Sequence, residues 1–383
     1  MLGNTPSSPA VATTAGDAIN TPGALAGAAT RLRTALTQLL ALLTALVFCA
    51  VLLLLTGHNP LAVYLALWTG SITGQSALAN TLIQTTPYIL LGLAVAVGFK
   101  GGLFNIGAEG QFVVGAIAAT WVGHLIGGAP GIVLVLLALL AGTVAGGLYA
   151  ALVGVLKVTR GAHEVITTIM LNYVATYLVQ FLVANGGPMQ SSSAGTQQSY
   201  PINVGAQLPI IAPGTNLDAG LLIALAAVAV IYVLVWRTTW GFELRAVGLN
   251  PRAARSAGIS ISVVTVWTMA VSGGLAGLAG AIQLQGQLHY LPDSIAAGFG
   301  FDAIAVAIIG AGNPVGIVLA ALLLGALRSS GSFMEGSTGI GAPFVSVIEA
   351  SILFFVAAPV IIRFIYFRWN RGRGVVRFGK ASG

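Results

Sequence analysis

Gly131–Val155 reads GIVLVLLALLAGTVAGGLYAALVGV, a run without one charged side chain. At 1.5 Å of rise per residue, such a run makes a helix long enough to cross a hydrocarbon core of about 30 Å. Its glycines Gly142, Gly146 and Gly147 let another helix approach closely, which matters where no hydrophobic effect drives helices together. The same signature repeats on both sides: no Asp, Glu, Lys or Arg occurs in 34–99, 110–156, 165–217 or 256–292. Of the 383 residues 57% are hydrophobic and only 7% charged, with a mean hydropathy of +0.94. A soluble domain carries about 25% charged residues, so this chain cannot cover a water-facing surface. The 51 glycines follow no collagen-like triplet, and the hydrophobic content excludes disorder over most of the length. The net charge of +7 comes from few cations in short gaps between apolar runs, which argues against a nucleic-acid partner. The single cysteine, Cys49, lies inside an apolar run, so there is neither a disulfide framework nor a zinc cluster. The chain reads as an all-α, polytopic transmembrane helix bundle.

Ionisable residues and breakers place about ten spans, at 35–56, 81–99, 104–126, 131–155, 164–184, 219–236, 261–283, 298–311, 315–332 and 344–366. The eighth is short and ends at Gly312-Asn313-Pro314, so a broken or re-entrant segment is an alternative there. Residues 60–78 are too polar for a full span and suit an interfacial or partly inserted helix. With a cytoplasmic N-terminus every Lys and Arg except Arg328 falls on the inside, which places both termini in the cytoplasm. Residues 1–34 read as a disordered cytoplasmic tail, 35–367 as the transmembrane domain and 368–383 as a basic cytoplasmic tail. The 35–56 run is too long for a signal-peptide core and is expected to stay as an anchor. The uncharged loop 185–217 then faces outside.

Three stretches break the apolar rule. In Gly101–Gln111, Asn105 and Glu109 stand four apart on one face of an expected helix, with Gln111 beside them. A carboxylate in a bilayer needs a polar cavity or a partner, so Glu109 either serves the site or pairs with a cation such as Lys100. In His163–Tyr173, Glu164 suits a helix N-terminus. Thr168 and Asn172, four apart, suit either an inter-helix hydrogen bond or a pathway wall. His163 has no second ligand at a zinc spacing. In Gly241–Ser260, Asn250 is a good N-cap, Pro251 fits the first helical position and Gly258 fits the C-terminal cap. That marks a short helix of about two turns, with Arg252 and Arg255 on one face, suited to docking another protein. Gln283, Gln285 and Gln287 sit at the outer end of the seventh span, followed by His289, Asp293 and Asp302, and Glu349 lies inside the last. Membrane-edge solvation or a substrate vestibule accounts for that outer group. No phosphate-binding loop, dinucleotide fingerprint, Gly-x-Ser-x-Gly elbow or His-Glu-x-x-His appears, so any ATP chemistry must belong to another subunit.

These stretches resemble the permease subunits of bacterial ABC importers, in the branch that carries branched-chain amino acids, ribose-type sugars and nucleosides. Gly248-Leu249-Asn250-Pro251, Ala253-Ala254-Arg255 and Gly258-Ile259 resemble that branch's cytoplasmic coupling helix. Gly102–Gln111, Glu164–Tyr173 and Gly300–Ala307 are more specifically similar to nucleoside permeases. The resemblance implies the fold of the large-permease (type II-like) class and a second, homologous permease chain. It also implies ATPase subunits that hold ATP and Mg, with no cofactor on this chain, and an extracytoplasmic binding lipoprotein, in a bacterial cytoplasmic membrane. The coupling contact would involve Arg245, Leu249, Asn250, Pro251, Arg252, Ala254, Arg255 and Gly258, within 249–258 and just before it. An uncharged nucleoside needs neutral polar and aromatic surface, for which Asn105, Glu109, Gln111, Asn172 and Gln283 are the candidates. A pentose or hexose sugar or a branched-chain amino acid is the alternative cargo. A proton-coupled secondary transporter using Glu109 and Glu349 is the alternative class, and the capped cytoplasmic helix argues against it.

Overall fold

The computed structural model describes residues 40–126, 130–191 and 196–356. The tail expectations for 1–34 and 368–383, and the end of the 344–366 span, fall outside those residues. Thirteen α-helices are described: α1 Leu40–Leu55, α2 Pro60–Ile72, α3 Gln75–Lys100, α4 Ala108–Leu125, α5 Gly131–Arg160, α6 Glu164–Val183 and α7 Gly220–Arg237, then α8 Thr239–Leu249, α9 Pro251–Ser256, α10 Ile261–Gln283, α11 Phe299–Ile309, α12 Pro314–Thr338 and α13 Phe344–Val356. Only isolated bridges, and no strand, occur among the described residues. By length and composition six helices can cross a membrane: α3, α5, α6, α7, α10 with its following π-helical turn, and α12.

Capping chemistry sets the helix ends. Asn59, Asn250 and Asn313 each stand before a proline and accept main-chain N–H groups of the first turn that follows. Gly161 and Gly339 end α5 and α12 in the left-handed conformation. The segment read as interfacial forms α2, whose Val63, Ala66, Leu67 and Ser71 are buried in its contact with α12 and α3.

Gly142 and Gly146 of α5 meet Gly273 and Gly277 of α10 along an antiparallel seam. A methyl group on Gly277 would strike the Gly142 carbonyl, and one on Gly273 would strike Ala150 and Gly146. Only hydrogen fits there, so the two backbones pack directly. Gly115 of α4 also enters this seam, and α3 packs on α10, with Tyr88 to Gly98 buried without a break.

Two expected spans differ. The span drawn from 104 begins only at Ala108, so Asn105 is not helical. Its Oδ1 accepts the Gly107 N–H at 3.0 Å, a local turn that displaces the helical bond. Gly102, at φ +72, turns the chain just before it. The span at 298–311 is the 11-residue α11, about 16 Å long and half a membrane deep. That is the broken segment foreshadowed by Gly312-Asn313-Pro314.

Candidate functional site

A polar layer crosses the middle of the bundle. Asn172 is the ninth of the twenty residues of α6. Its Oδ1 accepts the Gly110 N–H at 2.8 Å, and its Nδ2 donates to the Ile106 carbonyl at 2.9 Å. The first turn of α4 therefore sits at the depth of mid-α6. At its other end, the Gly123 carbonyl accepts the Asn203 N–H of the loop between α6 and α7.

Asn105 and Gln111 form a reciprocal amide pair: Asn105 Nδ2 donates to Gln111 Oε1 at 2.8 Å, and Gln111 Nε2 donates to Asn105 Oδ1 at 3.0 Å. Asn105 also donates to Ser272 Oγ at 2.8 Å, and that hydroxyl donates to the Ala94 carbonyl of α3 at 2.6 Å. Thus α3, α4 and α10 are tied at one depth. Both amides are fully enclosed.

Glu109 does not pair with Lys100. Its two oxygens accept the N–H groups of Gly298 and Gly300 at the start of α11. Those N–H groups have no partner inside their own helix, and the helix dipole favours an anion there. Lys100 instead points its ammonium at the Trp236 ring, 5.7 Å from the centroid. Two helices that start at mid-depth, α4 and α11, therefore meet N-terminus to N-terminus across one carboxylate. Membrane transporters build polar sites from such interrupted helices.

Beside this junction lies a charge cluster whose assembly the sequence did not reveal. Arg328 of α12 donates to Asp302 Oδ2 at 3.1 Å, to Tyr88 Oη at 3.0 Å and to the Ala297 carbonyl at 2.8 Å. Tyr88 donates to the same Asp302 oxygen at 3.0 Å. The guanidinium also stacks on Phe299, 4.1 Å from the ring centroid. Glu349 lies within electrostatic range of Arg328 and Asp302, and its Oε1 has no hydrogen-bond partner among the described residues. An arginine placed at the centre of a lone span costs about 3 kcal/mol on insertion scales, and this set of partners offsets it. The available signal was Arg328 itself, the lone cation on the wrong side of the orientation rule.

The end of the bundle where α7 begins and α10 ends is held separately. Asp218 Oδ1 accepts the Gly220 N–H at 2.7 Å, and Oδ2 accepts from Gln287 Nε2. Burial pushes the Asp218 carboxyl above the usual carboxylate range, and those two bonds oppose the rise. Gln285 is enclosed and donates to the Val135 carbonyl. Gln283 is half-buried and stands apart from the Asn105–Glu109–Gln111–Asn172 group.

On the arginine-rich side, α9 forms as its caps required: Asn250 Oδ1 accepts the Arg252 and Ala253 N–H groups. Gly258, at φ +83, follows its end. Leu249 is 87% exposed, the most exposed large apolar side chain described. Pro251, Arg252, Ala253 and Arg255 also face outward. Two residues of the expected docking set point elsewhere. Ala254 is buried against the permease, so it seats α9 on its own bundle. Arg245 donates to the Val235 carbonyl at 2.8 Å and pins α8 to the end of α7. Next to Leu249, the Gly248 main chain lies directly on Lys100 and Gly102.

Residues 77–362 match the family described as the branched-chain amino acid transport system / permease component. The chain is 39% identical, over 88% of its length and 96% of the relative's, to a guanosine ABC transporter permease protein of Bacillus subtilis. It is 33% identical to a nucleoside ABC transporter permease protein of Lactococcus lactis, over 86% of this chain and 92% of that one. Similarity to a glucose ABC transporter permease protein of Haloferax volcanii is 36%, over 84% and 86%.

Proposed function

We propose that this chain, which belongs to the branched-chain amino acid transport system / permease component family, conducts nucleosides inward across a bacterial cytoplasmic membrane. It is a multi-pass permease subunit of an ABC transporter; ATP hydrolysis is the work of a separate ATPase subunit. Family membership implies an ATPase partner and a binding-protein partner. The observation that carries the substrate class is the likeness to guanosine and nucleoside permeases over most of the chain. The neutral amides Asn105, Gln111 and Asn172 are enclosed and spend their hydrogen bonds within the bundle, so they brace its helices rather than touch the cargo. The glucose permease makes a hexose the second reading.

The proposed complex pairs this chain with a second, homologous permease, and an extracytoplasmic lipoprotein hands over the cargo. Both termini are cytoplasmic, ATP and Mg stay on the ATPase, and this chain holds no cofactor. Leu249, Asn250, Pro251, Arg252 and Arg255 present the coupling surface. Arg245, Ala254 and Gly258 hold that surface in place. Motion of the ATPase pair passes from α8 through the Gly248–Gly102 contact into the 101–107 loop. Asn105 lies in that loop, Glu109 and Gln111 stand in the first turn of α4, and Asn172 of α6 holds the Gly110 N–H, so the push reaches α4, α6 and α11 together. Gln283 is the open amide at the outer mouth. Directional transport follows if ATP and the loaded binding protein favour different states.

Uptake of labelled guanosine and uridine in cells carrying the whole importer tests the substrate class. Nucleosides are expected to compete with each other while free ribose and glucose do not. Competition by glucose with none by nucleosides moves the assignment to the sugar.

A further inference from the structure

We infer that the outward face of α6, carrying Tyr173, Tyr177 and Gln180, lines the substrate path and stacks the base of a passing nucleoside. The inference rests on the nucleoside reading for the identity of the cargo, and on geometry alone for the face.

The buried side of α6 carries Thr168, Asn172, Ala175 and Val179. On the opposite side stand Ile166, Met170, Tyr173, Val174, Tyr177 and Phe181, all exposed, with Leu178 and Gln180 exposed at its two edges. Tyr173 is 57% exposed and Tyr177 66%, and neither phenol has a hydrogen-bond partner among the described residues. Both lie far from the ends of a helix whose twenty residues span about 30 Å. Helical side chains lean toward their N-terminus, so the Tyr177 ring tilts toward the membrane centre and away from the outer interface. Neither phenol therefore belongs to an interfacial belt, where membrane tyrosines normally sit. Hydrocarbon offers them no acceptor, and Gln180 at the edge of that face adds an unpartnered amide.

The molecule supplies its own control. The outward face of α5 is aliphatic throughout its outer half, with Ile132, Leu136 and Leu140 exposed. No ring and no side-chain hydrogen-bonding group is exposed on that half of α5, whereas α6 exposes two phenols mid-helix. Its stripe bears no charge, since Glu164 at the base of α6 turns inward to Lys157 at 2.6 Å. Flat rings with neutral hydrogen-bonding groups suit a planar, uncharged base, because aromatic stacking accepts every base and amides or phenols reach its edge.

The test uses the complete importer in cells, with Cys49→Ala as background and single cysteines at Tyr173, Tyr177 or, as control, Leu136. A charged, membrane-impermeant methanethiosulfonate is expected to modify Tyr177→Cys and block uptake, with guanosine slowing the modification several-fold, while Leu136→Cys stays unmodified. Absence of modification at both tyrosine positions, as at Leu136, overturns the inference in favour of a lipid face. A disulfide between permease chains without reagent access overturns it in favour of a dry interface. Modification slowed by glucose and not by guanosine keeps the face in the path and overturns the nucleoside reading. A ring-keeping and a ring-removing variant guard against misfolding: Tyr177→Phe should change the KM for guanosine less than twofold, and Tyr177→Leu more than fivefold. Equal effects of the two would remove stacking from the account.

Discussion

Glu109 Oε2 accepts the main-chain N–H of Gly300, 191 residues further along the chain. The contact joins the N-termini of α4 and α11, and there is no space for a side chain at Gly300, because a Cβ would overlap the Glu109 main chain. Replacing Glu109 with Gln keeps one acceptor and turns an NH2 group toward the other N–H. Hydrogen bonds to charged groups are worth about 1.5–3 kcal/mol each, so the detergent-solubilised Glu109→Gln protein should melt measurably lower. Gly300→Ala should do so as well, by prising the two helices apart. Wild-type melting of both would mean that this junction does not hold α11.

Asn105 and Gln111 satisfy each other in an enclosed place, so removing Asn105 orphans the Gln111 amide, while removing Gln111 leaves Asn105 with only Ser272 and the Gly107 N–H. Gln111→Leu or Asn105→Ala alone should cost about 1–3 kcal/mol. The double variant should cost clearly less than their sum, since no amide is left unpaired. Additive losses in a thermal or denaturant series would show that the pair is not coupled.

How far the sequence could be read divides along physical lines. Spans are legible because composition acts locally, and the close-spaced glycines of α5 marked it for close packing; that α10 is the helix it meets came only from the structure. Asn105, Glu109, Gln111 and Asn172 were recognisable as residues out of place in lipid, and the structure gathers them at one depth. Their partners were not recognisable, because Gly298, Gly300 and Ile106 answer with main-chain groups that carry no side-chain signature. Arg328 and Asp302 were each noticed, but nothing in one sequence pairs residues on two helices. The burial of Ala254 was not legible for another reason: a six-residue helix has too few positions to show which face turns inward.

The seam gives a prediction in which two neighbouring glycines behave differently. A Cβ on Gly277 meets the Gly142 carbonyl and the Gly146 Cα, whereas one on Gly274 meets only Thr143, at 3.5 Å. Gly277→Ala should therefore destabilise by about 1–3 kcal/mol through overpacking. Gly274→Ala should be neutral or slightly stabilising, as alanine is the better helix former. Fluorescence-detected size-exclusion chromatography after a temperature ramp separates them, and equal behaviour would contradict the seam geometry.

The coupling surface and the link behind it can be tested apart. Leu249 projects into solvent, so Leu249→Asp should leave the permease inserted and folded but prevent co-purification with the ATPase. Ala254→Asp acts differently: its carboxylate would be driven into the permease's own packing, where a buried unpaired charge costs several kcal/mol, and the permease itself should lose stability. Gly248→Val attacks the transmission step, since any side chain there collides with the Lys100 carbonyl and the Gly102 N–H region while leaving Leu249, Arg252 and Arg255 outside. This variant should still bind the ATPase and still allow basal ATP hydrolysis, but substrate-stimulated hydrolysis and uptake should fall at least tenfold. If Gly248→Val instead loses the ATPase altogether, α8 is part of the docking surface. If it transports normally, the push travels by another route than the 101–107 loop.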